Sequence, residues 1–151
     1  MRWIHIDEWR EVAPGEAAEA VRAIPSDLDF LAGRCPAFPI MPHSLLVESM
    51  AQTAGILVGK AFGFTRDVIL AKIDMAEFFA ITRPGDILRI AARIEERREE
   101  GARVACRITR DGDEVARATL FFALLGEEDA GKLGARGFVF SAGTLAGFRT
   151  G

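Results

Sequence analysis

The stretch from Gly33 to Gln52, reading GRCPAFPIMPHSLLVESMAQ, constrains the fold more than any other. Pro36, Pro39 and Pro42 fall close together, and each fixes its own φ and pushes its predecessor out of the helical region, so this arm is extended. A helical run from about Ser44 to Phe62 follows at once. Pro42 suits the first helical turn, where a missing N–H costs nothing. The arm thus leads into a helix N-terminus whose free N–H groups and dipole favour negative charge. Inside that helix Glu48 stands among Leu45, Leu46, Val47, Met50 and Ala51. A carboxylate on so apolar a helix is costly unless it is paired or used, and a capped or solvent-facing Glu is the plain alternative.

The 151 residues amount to one ordinary domain with a real core. Half are hydrophobic, which favours a packed fold over disorder. The formal charge of -3, with both signs interspersed, lacks the basic footprint of nucleic-acid binders, and that class is excluded. Met1 to Glu8 lacks an apolar leader, and the central helix is interrupted by Glu48, Gln52 and Lys60, so no membrane span is expected and the location reads as cytoplasmic. Cys35 and Cys106 read as reduced core residues, and no CxxC or His/Cys cluster offers a metal site. No cofactor is expected.

In chain order, Trp3 to Val12 alternates and ends at Pro14-Gly15, giving an opening strand. Glu16 to Ile24 is ambiguous: its Ala and Glu content favours helix, while its alternation permits a strand. Ser26 to Asp29 reads as a cap on a short turn carrying Phe30 and Leu31. Beyond the central helix, Asp67 to Ala80 reads as a strand pair or one long bent strand, with Lys72 and Asp74 on one face. Arg83-Pro84-Gly85-Asp86 is a turn by composition. Leu88, Ile90, Ala92 and Ile94 alternate with charged residues, and after a charged turn at Glu96 to Gly101 so do Val104, Cys106 and Ile108. Asp111-Gly112 marks a hairpin, and Glu114 to Leu125 returns as a third strand, apolar on both faces in its second half and hence central. A domain of residues 1–125 and a Gly-rich tail of 126–151 are the expected divisions. The tail is either packed on the surface or partly disordered. The whole implies an α+β fold, a long central helix wrapped by a curved antiparallel sheet, whose free edge favours dimerisation.

These pieces resemble the hot-dog fold 3-hydroxyacyl-acyl-carrier-protein dehydratases of fatty acid synthesis, across roughly residues 4 to 125. That family carries a Gly-His-Phe-Pro-x-x-Pro-x-Met-Pro-Gly arm and a Glu-Ala-Met-Ala-Gln helix. Here Gly33, Pro36, Pro39, Met41 and Pro42 match the arm, and Glu48, Met50, Ala51 and Gln52 match the helix. Lys72, Phe78, the turn at Arg83 to Asp86 and the meander ending Ala118 to Leu124 also match. The resemblance implies that an arm His removes the C2 proton of an acyl thioester, that a helix Glu from the partner subunit assists departure of the C3 hydroxyl, and that helix-start N–H groups hold the thioester oxygen. Glu48 is the acid carried over. Arg34 stands where the His belongs, and a guanidinium protonated to above about pH 12 is no base at neutral pH.

A second departure is His43, in place of the Gly after Met-Pro. His43 reads either as a relocated base or as a residue packing the helix start. Arg34 is then either an anchor for a carboxylate or phosphate, a partner of Glu48, or a solvated loop residue. Gln52, one turn beyond Glu48, is placed to orient its carboxylate. Met41 and Ser44 complete the expected substrate-binding set with Arg34 and Gln52. Cys35 as a nucleophile lacks any feature that would lower its pKa. Lys72 and Arg83 are candidates for an acidic carrier or a phosphopantetheine phosphate, or are plain solvated charges. Three functions compete: a dehydratase with an altered site, a hot-dog thioesterase, and a silent acyl-binding or partner subunit. The partner implied is acyl carrier protein or a coenzyme A thioester, bound in an apolar tunnel between subunits of a homodimer or of a higher oligomer of dimers.

Overall fold

The structure, a computed structural model, describes residues 4–26, 37–132 and 149–150. Gly33, Arg34, Cys35 and Pro36 of the arm, the turn around Phe30, and most of the Gly-rich tail lie outside the described residues. Strands β1 (Glu8–Ala13) and β2 (Ala17–Ala23) precede helix α1 (His43–Ala61). Then come β3 (Asp67–Phe78), β4 (Ile87–Arg98), β5 (Gly101–Arg110), β6 (Asp113–Leu125), the short helix α2 (Glu127–Lys132) and β7 (Arg149–Thr150). The sheet order is β3-β6-β5-β4-β2-β1-β7. All pairs among β1 to β6 are antiparallel, while β7 adds two residues parallel to β1.

Alternation decides which sheet face receives the helix. Leu88, Ile90 and Ala92 of β4, Val104, Cys106 and Ile108 of β5, and Ala116, Ala118, Leu120 and Phe122 of β6 are buried. Arg89, Ala91, Arg107 and Arg117 face outward. Every residue of α1 from Ser49 to Gly59 is buried, so the helix is covered on all sides rather than along one stripe. A curved sheet covers most of it, and the segment leading into β1 covers another side. Trp9 Nε1 donates to Thr53 O at 3.1 Å, and Ser49 Oγ donates to His5 O at 2.9 Å. Thr53 Oγ1 donates to Ser49 O at 2.8 Å, so the buried hydroxyls on α1 are satisfied within the fold.

Three turns set the register. Asp111 and Gly112 both have positive φ, 53° and 89°, as a two-residue hairpin turn between right-twisted strands requires. In the turn at Arg83 to Asp86, the Asp86 N–H donates to Arg83 O, and the Arg83 N–H donates to Asp86 Oδ2 at 2.9 Å. Gly101 opens β5 where a Cβ would lie 2.0 Å from Phe122 O, so only glycine permits that approach of the strands.

Two readings that the sequence left open are decided, at 17–23 and 67–78, and two expectations, at Pro42 and at 96–98, need correction. Residues 17–23 form a strand, paired on both sides by β1 and β4, because ladder hydrogen bonds and burial of Ala18 and Ala20 outweigh the helical propensity of Ala and Glu. Pro42 is the N-cap of α1, with ψ of 137°, and its carbonyl accepts from the Leu45 and Leu46 N–H groups. The stretch 96–98 belongs to β4, leaving a turn only at 99–100. Asp67 to Phe78 is one strand with two bulges, at Leu70/Lys72 and Ile73/Met75, and it forms one edge of the sheet.

Candidate functional site

Glu48 sits in the second turn of α1, half-buried, between the half-buried Leu45 and Val47. Gln52, one turn on, donates from Nε2 to Glu48 Oε1 at 2.9 Å. The other end of that amide is fixed as well, since Gln52 Oε1 accepts from the His5 N–H at 2.7 Å. The spacing i, i+4 brings the two side chains together, and the packed segment before β1 aims the amide. A carboxylate held in one orientation beside apolar side chains is suited to exchange a proton with a bound ligand.

Among the described residues the start of α1 carries no side-chain cap and no acidic residue in its first turn, so its N–H groups and dipole favour an anion. His43 is the first helical residue. It is exposed, with its ring stacked on Phe78 at a centroid distance of 4.1 Å and an interplanar angle of 6°. Five residues along a helix amount to roughly 140° of rotation, so His43 and Glu48 of one chain face different ways. Ser44 lies one turn before Glu48 on the same face and is exposed. Met41 is buried in the core, and its N–H donates to Thr82 O at 2.8 Å, which fastens the end of the arm to the segment before Arg83. Arg83 stacks its guanidinium over Phe38 at 4.5 Å. Asp86 is partly screened from water, which pushes its carboxyl up, but the Arg83 N–H and Arg110 outweigh this and hold it low.

Other candidates fall away from this cluster. Lys72 pairs with Asp74 at 2.7 Å, in a chain of contacts that continues to Arg103 and Glu96. Cys106 is buried, and burial pushes its thiol far up, so it is no nucleophile. Two broad recesses of about 530 and about 500 Å³ lie across the outward sheet face, around Ala17, Ala91 and Ala105 and around Arg89 and Thr109. Glu48, Gln52 and His43 line neither. Among the described residues no group of three or more His, Cys, Asp or Glu side chains is arranged to hold a metal ion, and no helix is long and apolar enough to cross a membrane.

Sequence reasoning missed His5. It is 3 % exposed, its Nδ1 has no hydrogen-bond partner among the described residues, and the charge of Glu48 acts on it. Burial holds the imidazole towards its neutral form, Glu48 pulls the other way, and Arg22 adds to the effect of burial. No local pattern marks it, because it meets α1 across 47 positions of sequence.

A long buried helix in the grip of a curved antiparallel sheet is the hot-dog fold, and solved structures share it. One is smu.793 from Streptococcus mutans UA159 bound to acetyl CoA, with a TM-score of 0.66 and 16 % identity over 83 % of this chain and 94 % of that one. A family model described as a FabA-like domain matches residues 4–119, and the chain belongs to that family. Among its relatives is the 3-hydroxyacyl-(acyl-carrier-protein) dehydratase FabZ of Lactobacillus helveticus, 33 % identical over 104 residues, covering 68 % of this chain and 70 % of the relative. The corresponding FabZ of Rickettsia rickettsii is 33 % identical over 122 residues, covering 80 % and 83 %.

Proposed function

We propose that this chain acts on 3-hydroxyacyl thioesters as a dehydratase-like enzyme of fatty acid or lipid synthesis with an altered active site. Glu48 supplies the proton that leaves with the C3 hydroxyl as water. A base removes the C2 proton, the C2–C3 double bond forms as the C3–O bond breaks, and N–H groups at the start of α1 hold the thioester oxygen. The observation that carries this reading is the Glu48 carboxyl fixed by Gln52 on the central helix of a FabA-like domain. In the sequence motif Arg34 stands where the resemblance puts the family's base, so the base proposed here is His43 of a second subunit or a water. Ser44 borders the thioester, and Arg34 anchors its phosphate or carboxylate end. Met41, buried in the core, fixes the end of the arm through its N–H to Thr82 O.

The edge at β3, unpaired among the described residues and bearing exposed Ile73 and Met75, supports a homodimer or an oligomer of dimers joined there, with the acyl chain in a tunnel between subunits. The relatives' names support acyl carrier protein as the donor, and the Streptococcus mutans neighbour supports coenzyme A. A cytoplasmic location and a hot-dog domain ending at residue 125, where β6 stops, complete the reading.

A second reading is favoured by Arg34 and by the His43 ring lying against Phe78: a silent acyl-binding subunit that pairs with an active homologue. One experiment separates them. Pure protein incubated with crotonyl and 3-hydroxybutyryl thioesters is expected to interconvert them. Release of free thiol instead makes it a thioesterase, with Glu48 activating water, and neither product makes it the silent subunit.

A further inference from the structure

The segment Ile4 to Asp7 precedes β1 and lies against the first half of α1, which it grips through the backbone of His5. The His5 N–H donates to Gln52 Oε1 at 2.7 Å, and the His5 carbonyl accepts from Ser49 Oγ at 2.9 Å. Two residues on, Asp7 ties the same segment to β2. Its N–H donates to Val21 O at 2.7 Å, its Oδ1 accepts from Arg22 Nη1 at 3.1 Å, and its Oδ2 accepts from the Ala23 N–H at 2.7 Å. One short acid thus meets three successive residues of a strand.

Arg22 is the unexpected half of this contact. It falls in the core-facing row of β2 with Ala18 and Ala20, and it is 7 % exposed. Its Nε has no hydrogen-bond partner, and Asp7 is the one carboxylate in ion-pair contact with it among the described residues. An apolar side chain would fill that place without desolvating a guanidinium. A buried ion pair gains little net stability over apolar packing, so its use here lies elsewhere.

We propose that Asp7 and Arg22 are positioning residues for Glu48. Their ion pair fixes the segment that carries His5, the His5 N–H holds the Gln52 amide, and the amide Nε2 holds Glu48 Oε1 at 2.9 Å. Without the Asp7 carboxylate only one of its three bonds to β2 remains, the Asp7 N–H to Val21 O. The segment then loosens, the amide loses its anchor, and Glu48 stays on the helix without its pose. That Glu48 is the acid rests on the function proposed above, whereas the holding of Gln52 does not.

Gln52 is the only glutamine in the chain and there is no asparagine, so a nitrogen-edited NMR spectrum contains a single carboxamide NH2 pair. In the unaltered chain that pair should stand away from the positions of free glutamine and exchange slowly with water. The comparison is Asp7→Ala combined with Arg22→Met, which removes both charges, leaves no guanidinium buried without a partner and so keeps the fold. There the pair should move to the free-glutamine positions and exchange faster. An unmoved pair would overturn the proposal. In the second arm, kcat with a 3-hydroxybutyryl thioester should fall about tenfold to a hundredfold in the same double variant, with KM nearly unchanged. Arg22→Lys, which keeps the charge, should retain most of it. A merely loosened fold would lower kcat by the same factor in any background, whereas a positioning role lowers it no further once Gln52→Leu is present. Equal loss in both backgrounds, or full kcat in the double variant, would overturn the role. Absence of turnover in the unaltered chain overturns the proposed function and leaves the NH2 pair to decide the holding of Gln52.

Discussion

From Ala54 to Val58 the side chains of α1 are apolar, small or absent, and buried, whereas from His43 to Thr53 the same helix carries Glu48, Ser49, Gln52 and Thr53. The second half is covered by apolar groups of the sheet. The first half is covered by a segment that supplies donors and acceptors: the His5 backbone N–H to Gln52, the His5 carbonyl to Ser49, and the Trp9 indole N–H to the Thr53 carbonyl. The second half is buried throughout, whereas the first runs from exposed His43 and Ser44 through half-buried Glu48 to buried Ser49, Gln52 and Thr53, and only its polar groups are aimed. Apolar contact is non-directional and tolerates a shift of position, while a hydrogen bond fixes orientation. The first half can therefore present one carboxyl in one pose, and the second half keeps the helix in place.

Substitutions that treat the halves differently test this contrast. Glu48→Gln preserves shape, so thioester turnover should fall about 10²- to 10⁴-fold with the thermal midpoint nearly unchanged. Full turnover in that variant would break the contrast at once. In the other half, Leu57→Ala removes a wholly buried side chain and should cost about 2–5 kcal/mol in urea unfolding, with kcat per folded molecule retained. Gln52→Leu removes the partner of both the His5 N–H and Glu48 and should cost about 1–3 kcal/mol. It should also lower turnover, because the carboxyl loses its pose. A loss in only one of those measurements would separate holding from aiming.

Two smaller effects sharpen the comparison. Burial lowers the pKa of His5 in the fold, so the unfolded chain binds the proton more readily. Its contribution to stability is therefore intact above the unfolded value of 6.5 and diminishes as pH falls below it. Thermal midpoints taken downward from neutral pH should drop less steeply in His5→Phe than in the unaltered chain. Arg10 and Glu19 pair on the exposed outer face, and Arg10→Ala should change stability by less than about 1 kcal/mol, within the range of surface ion pairs.

Much of the scaffold was legible along the chain. Leu88, Ile90 and Ala92 announce the inward face of β4 by alternation, Asp111-Gly112 announces its hairpin, and the apolar run after Pro42 announces α1. Residues 17–23 were not legible, because Ala and Glu suit a helix and the strand is made by neighbours on either side. At the site, Glu48 and its contact with Gln52 follow from a spacing of four on one helix. His5 beside Glu48, and the His43 ring against Phe78, join residues far apart in sequence, and nothing local signals either.

The order of residues by itself determined periodicity: which side chains share a face, where the chain must turn, and that an acid and an amide stand one helical turn apart. Only the tertiary structure decided what lies opposite each face, and so which polar groups are satisfied and which titratable ones feel one another. The physical reason is range, since backbone sterics and helical spacing act over a few residues, while burial and charge act through space between segments that the chain brings together only on folding.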